Sequence, residues 1–242
     1  MKKIAILLVL LLIITACAKE EVQRPPQPQL PPPTGPLPSG TATTQDGQTI
    51  SYQLYEGTPG GPAVILLHML RRTRADWDSV AKWLQKNGFT VIAYDARGHG
   101  QSTGDWQTFK EEDFQKMTND ITAIKSVLES KGTDVKRIAI IGASIGANTA
   151  YNYAVQDPDI KTVILLSPGL DYRGVTIDTT RLNRPFLVVA SNDDTESAKA
   201  AEEFKKNKQA TIKMYEDAGH GTNMFQKNDL APTILNWIRG KV

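Results

Sequence analysis

From residue 63 to the C-terminal helix, short unbroken apolar runs alternate with longer segments whose apolar residues recur at helical spacing. Residues 63–68, 89–94, 137–141, 160–166, 185–190 and 211–215 read as strands, and the continuous apolar runs among them call for cover on both faces. Between them, residues 76–87 put Trp77, Val80, Ala81 and Leu84 on one helical face and stop at Gly88. Residues 111–131 do the same with Ile121, Ile124, Val127 and Leu128, and further helices fall at 144–155, 197–206 and 230–239. Ahead of the alternation, 41–45 and 49–55 flank Asp46-Gly47, a hairpin turn signal. Such a pattern predicts an α/β fold, a mostly parallel sheet with helices on both faces. Functional groups in such sheets collect in loops beyond the carboxyl ends of the strands.

The first forty of the 242 residues do not share this pattern. Lys2 and Lys3 precede an apolar run, residues 4–14, of signal-peptide length and short for a membrane span. Ile14-Thr15-Ala16-Cys17 follows, and it resembles the lipobox of prokaryotic lipoproteins, in which the cysteine is acylated and becomes the new N-terminus. Several acyl chains on Cys17 would hold the chain at a membrane far better than one. Residues 18–40 carry eight of the 14 prolines, a composition that favours an extended spacer over a packed core. The expected organisation is therefore a signal with lipobox (1–17), a Pro-rich linker (18–40) and one folded domain (41–242). It implies a lipid-anchored protein of the cell envelope with its domain outside the cytoplasm.

A net charge of +2 spread over 22% charged residues offers no basic face for nucleic acid. No His/Cys/carboxylate cluster has metal-ligand spacing, and no cofactor is implied. Oligomeric state stays open.

One segment carries chemistry on its own. Gly142-Ala143-Ser144-Ile145-Gly146 is a G-x-S-x-G sequence between a strand and a helix. A serine on so sharp a turn is held in a strained backbone conformation, so its neighbours two before and two after must be small. The helix that begins there aims its free N–H groups at the place where an oxyanion would develop. Of the three histidines, His220 lies in Asp217-Ala218-Gly219-His220-Gly221, a glycine-flanked loop after the last strand that can reach back to Ser144.

With Asp95-Ala96-Arg97-Gly98-His99-Gly100-Gln101-Ser102, like the R-G-H-G-x-S turn of that superfamily, these motifs resemble the α/β-hydrolases over residues 41–242. The nearest flavour is the lidless serine enzymes of the dienelactone-hydrolase and prolyl-oligopeptidase-like groups. The resemblance implies a Ser-Asp-His triad in that chain order, with Ser144 as nucleophile and His220 as base. In many relatives the acid sits three residues beyond the small residue ending its strand. Counted from Ala190 that is Asp193, with Asp194 the alternative and better suited to cap the next helix. Relatives place His-Gly-x after the first central strand, where this chain has His68-Met69-Leu70, so the oxyanion donors are expected to be the amides of Ile145 and of Met69 or Leu70. Met69 either lines an acyl pocket or simply packs. Arg71, Arg72 and Arg74 follow, close enough to attract an anionic substrate or a membrane phosphate. His99 is expected to be structural.

In lipases and epoxide hydrolases a cap is inserted after the strand matching 160–166. Only 18 residues, 167–184, stand there in this chain, too few for a cap. The implied activity is cleavage of small-molecule esters with short or exposed acyl groups. A peptidase or acyltransferase would use the same residues, and a non-catalytic surface-binding lipoprotein could use the same scaffold.

Overall fold

The computed structural model describes residues 39–242; the expected signal, lipobox and Pro-rich linker lie outside the described residues. The expected alternation is observed. Ten strands form in chain order: β1 Ser39–Thr43, β2 Thr49–Tyr55, β3 Ala63–Leu67, β4 Thr90–Tyr94, β5 Ile138–Ala143, β6 Ile160–Leu166, β7 Asp171–Tyr172, β8 Val175–Thr176, β9 Phe186–Ser191 and β10 Ala210–Tyr215. Six α-helices intervene: α1 Asp78–Lys86, α2 Glu111–Gln115, α3 Met117–Ser130, α4 Ile145–Gln156, α5 Thr195–Phe204 and α6 Leu230–Arg239.

Eight strands form one sheet in the order β1-β2-β4-β3-β5-β6-β9-β10, while β7 and β8 make a separate hairpin. β1 and β2 pair antiparallel, as does β2 with β4, and every other junction in the sheet is parallel. The unbroken apolar strands follow from burial on both faces. In β3, Ile65 and Leu67 face the core on the α3–α4–α5 side, and Val64 and Leu66 face the core on the α1–α6 side. At about 25 cal/mol per Å² of apolar surface removed from water, these two layers are the main stabilising contribution.

Two segments depart from expectation. The single helix over 111–131 is broken at Lys116. The short first piece swings away so that Gln115 can donate to the Gly174 carbonyl at 3.0 Å, while Phe114 and Met117 both stay buried. The loop at the cap position contains the two-residue hairpin β7–β8, turned by Arg173 (φ 57°) and Gly174 (φ 80°). Two successive positive-φ residues match the twist of a tight hairpin. Among the described residues no helix is long and apolar enough to cross a membrane.

Candidate active site

Ser144 stands at the end of β5, directly before α4, with φ 54° and ψ −123°. Its amide donates to the Leu166 carbonyl at 2.8 Å, which ties the turn to β6. Space explains the flanking glycines. A Cβ on Gly142 would come within 2.2 Å of the Gly146 carbonyl oxygen, and one on Gly146 within 2.6 Å of the His68 carbonyl. The elbow that the motif predicts is formed, and the free amide of Ile145 opens α4.

His220 lies between Gly219 (φ 71°) and Gly221 (φ 57°). Two serines at strand ends hold its loop. The Gly221 amide donates to Ser167 Oγ at 2.8 Å, and the Ala218 amide donates to Ser191 Oγ at 2.9 Å. A Cβ on Gly221 would sit 2.2 Å from Met69 Sδ and 3.4 Å from the Ala143 Cβ, so a side chain there would displace Met69. The residue after His220 thus stands close to the residue before Ser144. Neither Ser167 nor Ser191 is identified from sequence; their signal is weak, a small polar residue ending each of two adjacent strands.

The acid is a correction. His220 Nδ1 pairs with Asp194 Oδ2 at 2.7 Å, not with Asp193. The strand carrying it continues through Ser191, which pairs with Tyr215 of β10, so it ends one residue later than expected. Three residues past Ser191 is Asp194. Asp194 does occupy the cap position of α5, but its side chain makes no capping bond there and turns to the imidazole. Asp193 instead serves the loop backbone: it accepts from the Ser191 hydroxyl and from the Gly219 amide at 3.1 Å. The Ser191 hydroxyl, followed by the loop amides, holds its carboxyl below the usual carboxylate range.

Among the described residues no hydrogen bond joins the Ser144 hydroxyl directly to the His220 ring. Tyr172 stands beside both. Its hydroxyl donates to the Ser167 carbonyl at 3.4 Å and lies near the Ser144 side chain. Its ring stands edge-on to His220, 6.2 Å between centroids at 87°. Sequence reasoning passed over Tyr172 because it lies in a segment with no strand periodicity.

Around the turn after β3, His68 is buried, with Nδ1 against the Met69 carbonyl at 2.7 Å and Nε2 accepting from the Ala96 amide at 2.9 Å. Met69 is buried, packed with Ala143, Ala218 and Met224. The three arginines divide. Arg72 pairs with Asp76 at 2.7 Å, Arg74 pairs with Asp95, and Arg71 lies over the Trp106 ring, 5.5 Å from its centroid. The Asp95–Ser102 turn is structural. Asp95 accepts from the amides of Arg74 (2.8 Å) and Gln101 (2.9 Å), and Ser102 Oγ donates to the Asp95 carbonyl at 2.6 Å. His99, within it, sits 5.0 Å from the His68 ring and stacks on Trp106.

The model of the serine aminopeptidase S33 family of hydrolases matches residues 61–184, half of the chain, from β3 past the Ser144 elbow. The chain belongs to this family. As a member of the S33 family it also matches a bifunctional esterase/perhydrolase of Acinetobacter calcoaceticus, 28% identical over 83% of this chain and 67% of that protein. An sn-1-specific diacylglycerol lipase of Xenopus tropicalis is 33% identical over 46% of this chain and 32% of its own length. The chain thus spans from about a third to two thirds of the curated relatives named here. Among solved structures, an esterase of Pyrococcus furiosus superposes with a TM-score of 0.69 at 20% identity, over 84% of this chain and 90% of that one. That last likeness establishes the α/β-hydrolase fold.

Proposed function

We propose that this chain is a serine hydrolase that cleaves ester-type bonds of small or exposed acyl substrates through an acyl-enzyme on Ser144. The observation that carries the reading is the strained Ser144 elbow together with the His220–Asp194 pair on a loop packed against it. His220, oriented by Asp194, takes the Ser144 proton as Oγ attacks the acyl carbon and returns it to the leaving group. Asp194 stabilises the imidazolium that forms in between. The oxyanion is met by backbone amides, Ile145 at the start of α4 and one from the turn after β3. The Met69 carbonyl is turned toward His68 Nδ1 and the Arg72 amide. In a planar trans peptide the Leu70 N–H points the opposite way, which favours Leu70 over Met69 as the second donor.

The relatives that are esterases or lipases support ester substrates, and the short hairpin at the cap position supports likeness to the lidless dienelactone-hydrolase and prolyl-oligopeptidase-like groups. A fluorophosphonate probe should label the wild type and leave Ser144→Ala unlabelled. Well-folded wild type that takes no label would instead favour a non-catalytic binding role. On p-nitrophenyl esters of rising chain length, turnover should fall beyond about six carbons.

The tether is proposed on the lipobox-like sequence alone. Cys17 would carry acyl chains and the residues to 40 would space the domain from the membrane. Cells expressing Cys17→Ser should release the protein from the detergent phase into the aqueous phase; equal partitioning of both forms would end this idea.

A further inference from the structure

Tyr172, the second residue of β7, stands between the two halves of the site. Its ring is packed on Gly169, where a Cβ would come within 2.6 Å of Cζ. Its hydroxyl donates to the Ser167 carbonyl at 3.4 Å and lies near Ser144, and the ring stands edge-on to His220. The position is not accidental to the loop, because α4 anchors the hairpin. Asn148, fully buried, donates to the Val175 carbonyl at 2.7 Å and accepts from the Gly169 amide at 3.1 Å; Asn152 donates to the Thr176 carbonyl at 2.9 Å.

Sheet order decides what the phenol can meet. β5 carries Ser144, with β3 on one side and β6 on the other. The oxyanion turn rises from the β3 side. Tyr172 follows β6, and His220 rests on Ser167 at the end of β6, so both stand on the opposite side. In acyl transfer the group that leaves, and the water that enters, lie beside the base. Burial, reinforced by the nearby Asp194 carboxylate, raises the phenol well above its ordinary range, so it is a neutral donor at any working pH and not a base.

Resting on the Ser144–His220 reading above, we propose that Tyr172 is the leaving-group contact of the site, its phenol donating a hydrogen bond to the departing ester oxygen and suiting the enzyme to alkyl esters. In acylation the Ser144 hydroxyl turns to His220, and the Tyr172 phenol turns from the Ser167 carbonyl to the ester oxygen that will leave. Oγ bonds to the acyl carbon as its proton passes to Nε2. The carbon–oxygen bond of the ester then breaks, the electron pair goes to the leaving oxygen, and that oxygen takes the proton from Nε2 and departs as an alcohol. Tyr172 keeps its own proton throughout. Water then enters at the same place, gives a proton to His220 and displaces Oγ, which recovers that proton.

The help is greatest where the leaving oxygen carries most charge. Tyr172→Phe removes the donor and keeps the ring. On the full chain, kcat/KM for acetate esters should fall roughly 10- to 100-fold with an alkyl alcohol as leaving group, and change no more than about threefold with 4-nitrophenol. The plot against leaving-group pKa steepens. Labelling of Tyr172→Phe by a fluorophosphonate, at whatever rate, shows that its nucleophile is intact. Equal losses across the series, or none, overturn the role of Tyr172 while the hydrolase reading stands. Wild type that turns over none of the esters and takes no label overturns that reading, and this inference with it.

Discussion

Residues at four positions around Ser144 are fixed by what they meet. Gly142 and Gly146 meet backbone carbonyls, and no rotamer change relieves a backbone clash. Asp193 and Asp194 are adjacent and chemically identical, yet the structure separates them by what they face. Asp194 meets the imidazole, and Asp193 meets the Gly219 amide and the Ser191 hydroxyl. Asp194→Ala should therefore lower kcat by roughly 10³- to 10⁴-fold with little change in KM, as expected when a base loses its orienting partner. Asp193→Ala should cost less than about tenfold, acting only by loosening the loop. Steady-state kinetics of the two variants check this, and the reverse ranking would restore Asp193. Ser144 and His220 are legible in the sequence because glycines frame them. The acid is not, because it hangs on where a strand ends, and Ser191 extends β9 by a residue that no propensity marks.

At the scale of elements, the hairpin β7–β8 is the part of the site that composition hides. It has two residues per strand and a turn on Arg173-Gly174, with none of the Asn-Gly or Asp-Gly signal that would reveal it. Its stability is borrowed from α4. Asn148 replaces by side-chain bonds what so short a ladder cannot supply, and its removal leaves the Val175 carbonyl and the Gly169 amide buried without those partners. Asn148→Ala should cost about 1–3 kcal/mol of stability. It should also reduce kcat, because Tyr172 and the wall it forms beside His220 lose their mount. Denaturant unfolding and ester turnover on the same preparation test the coupling; full activity at reduced stability would show that the hairpin is indifferent to chemistry. The break at Lys116 belongs to the same device, since it frees Gln115 to reach Gly174. Apolar periodicity runs straight through that point and cannot reveal it.

For the whole molecule, the sheet and its two faces are legible because the interior parallel strands are apolar over most of their length, a demand written into each strand separately. What joins the strands at their carboxyl ends is polar, and there pH enters. His68 after β3 spans to the segment after β4, giving Nδ1–H to the Met69 carbonyl and accepting the Ala96 amide at Nε2. Protonation would destroy the second bond and place a charge in the interior. Burial first, and the neighbouring His99, lower its pKa from 6.5 to about 4. The folded state thus binds this proton less readily than the unfolded one. The stability that neutral His68 contributes is fully present above pH 6.5 and is lost as pH falls toward 4, on the order of 3 kcal/mol. Asp120 works against it in the same window, because burial raises its carboxyl to about 6 and folding then favours the proton. A wild-type acid titration sums the two effects. Comparison with His68→Gln cancels the Asp120 part: the stability advantage of wild type over that variant should shrink steadily between pH 6.5 and 4 in urea unfolding. An advantage that stays constant across that range would mean His68 is charged or exposed in the native protein.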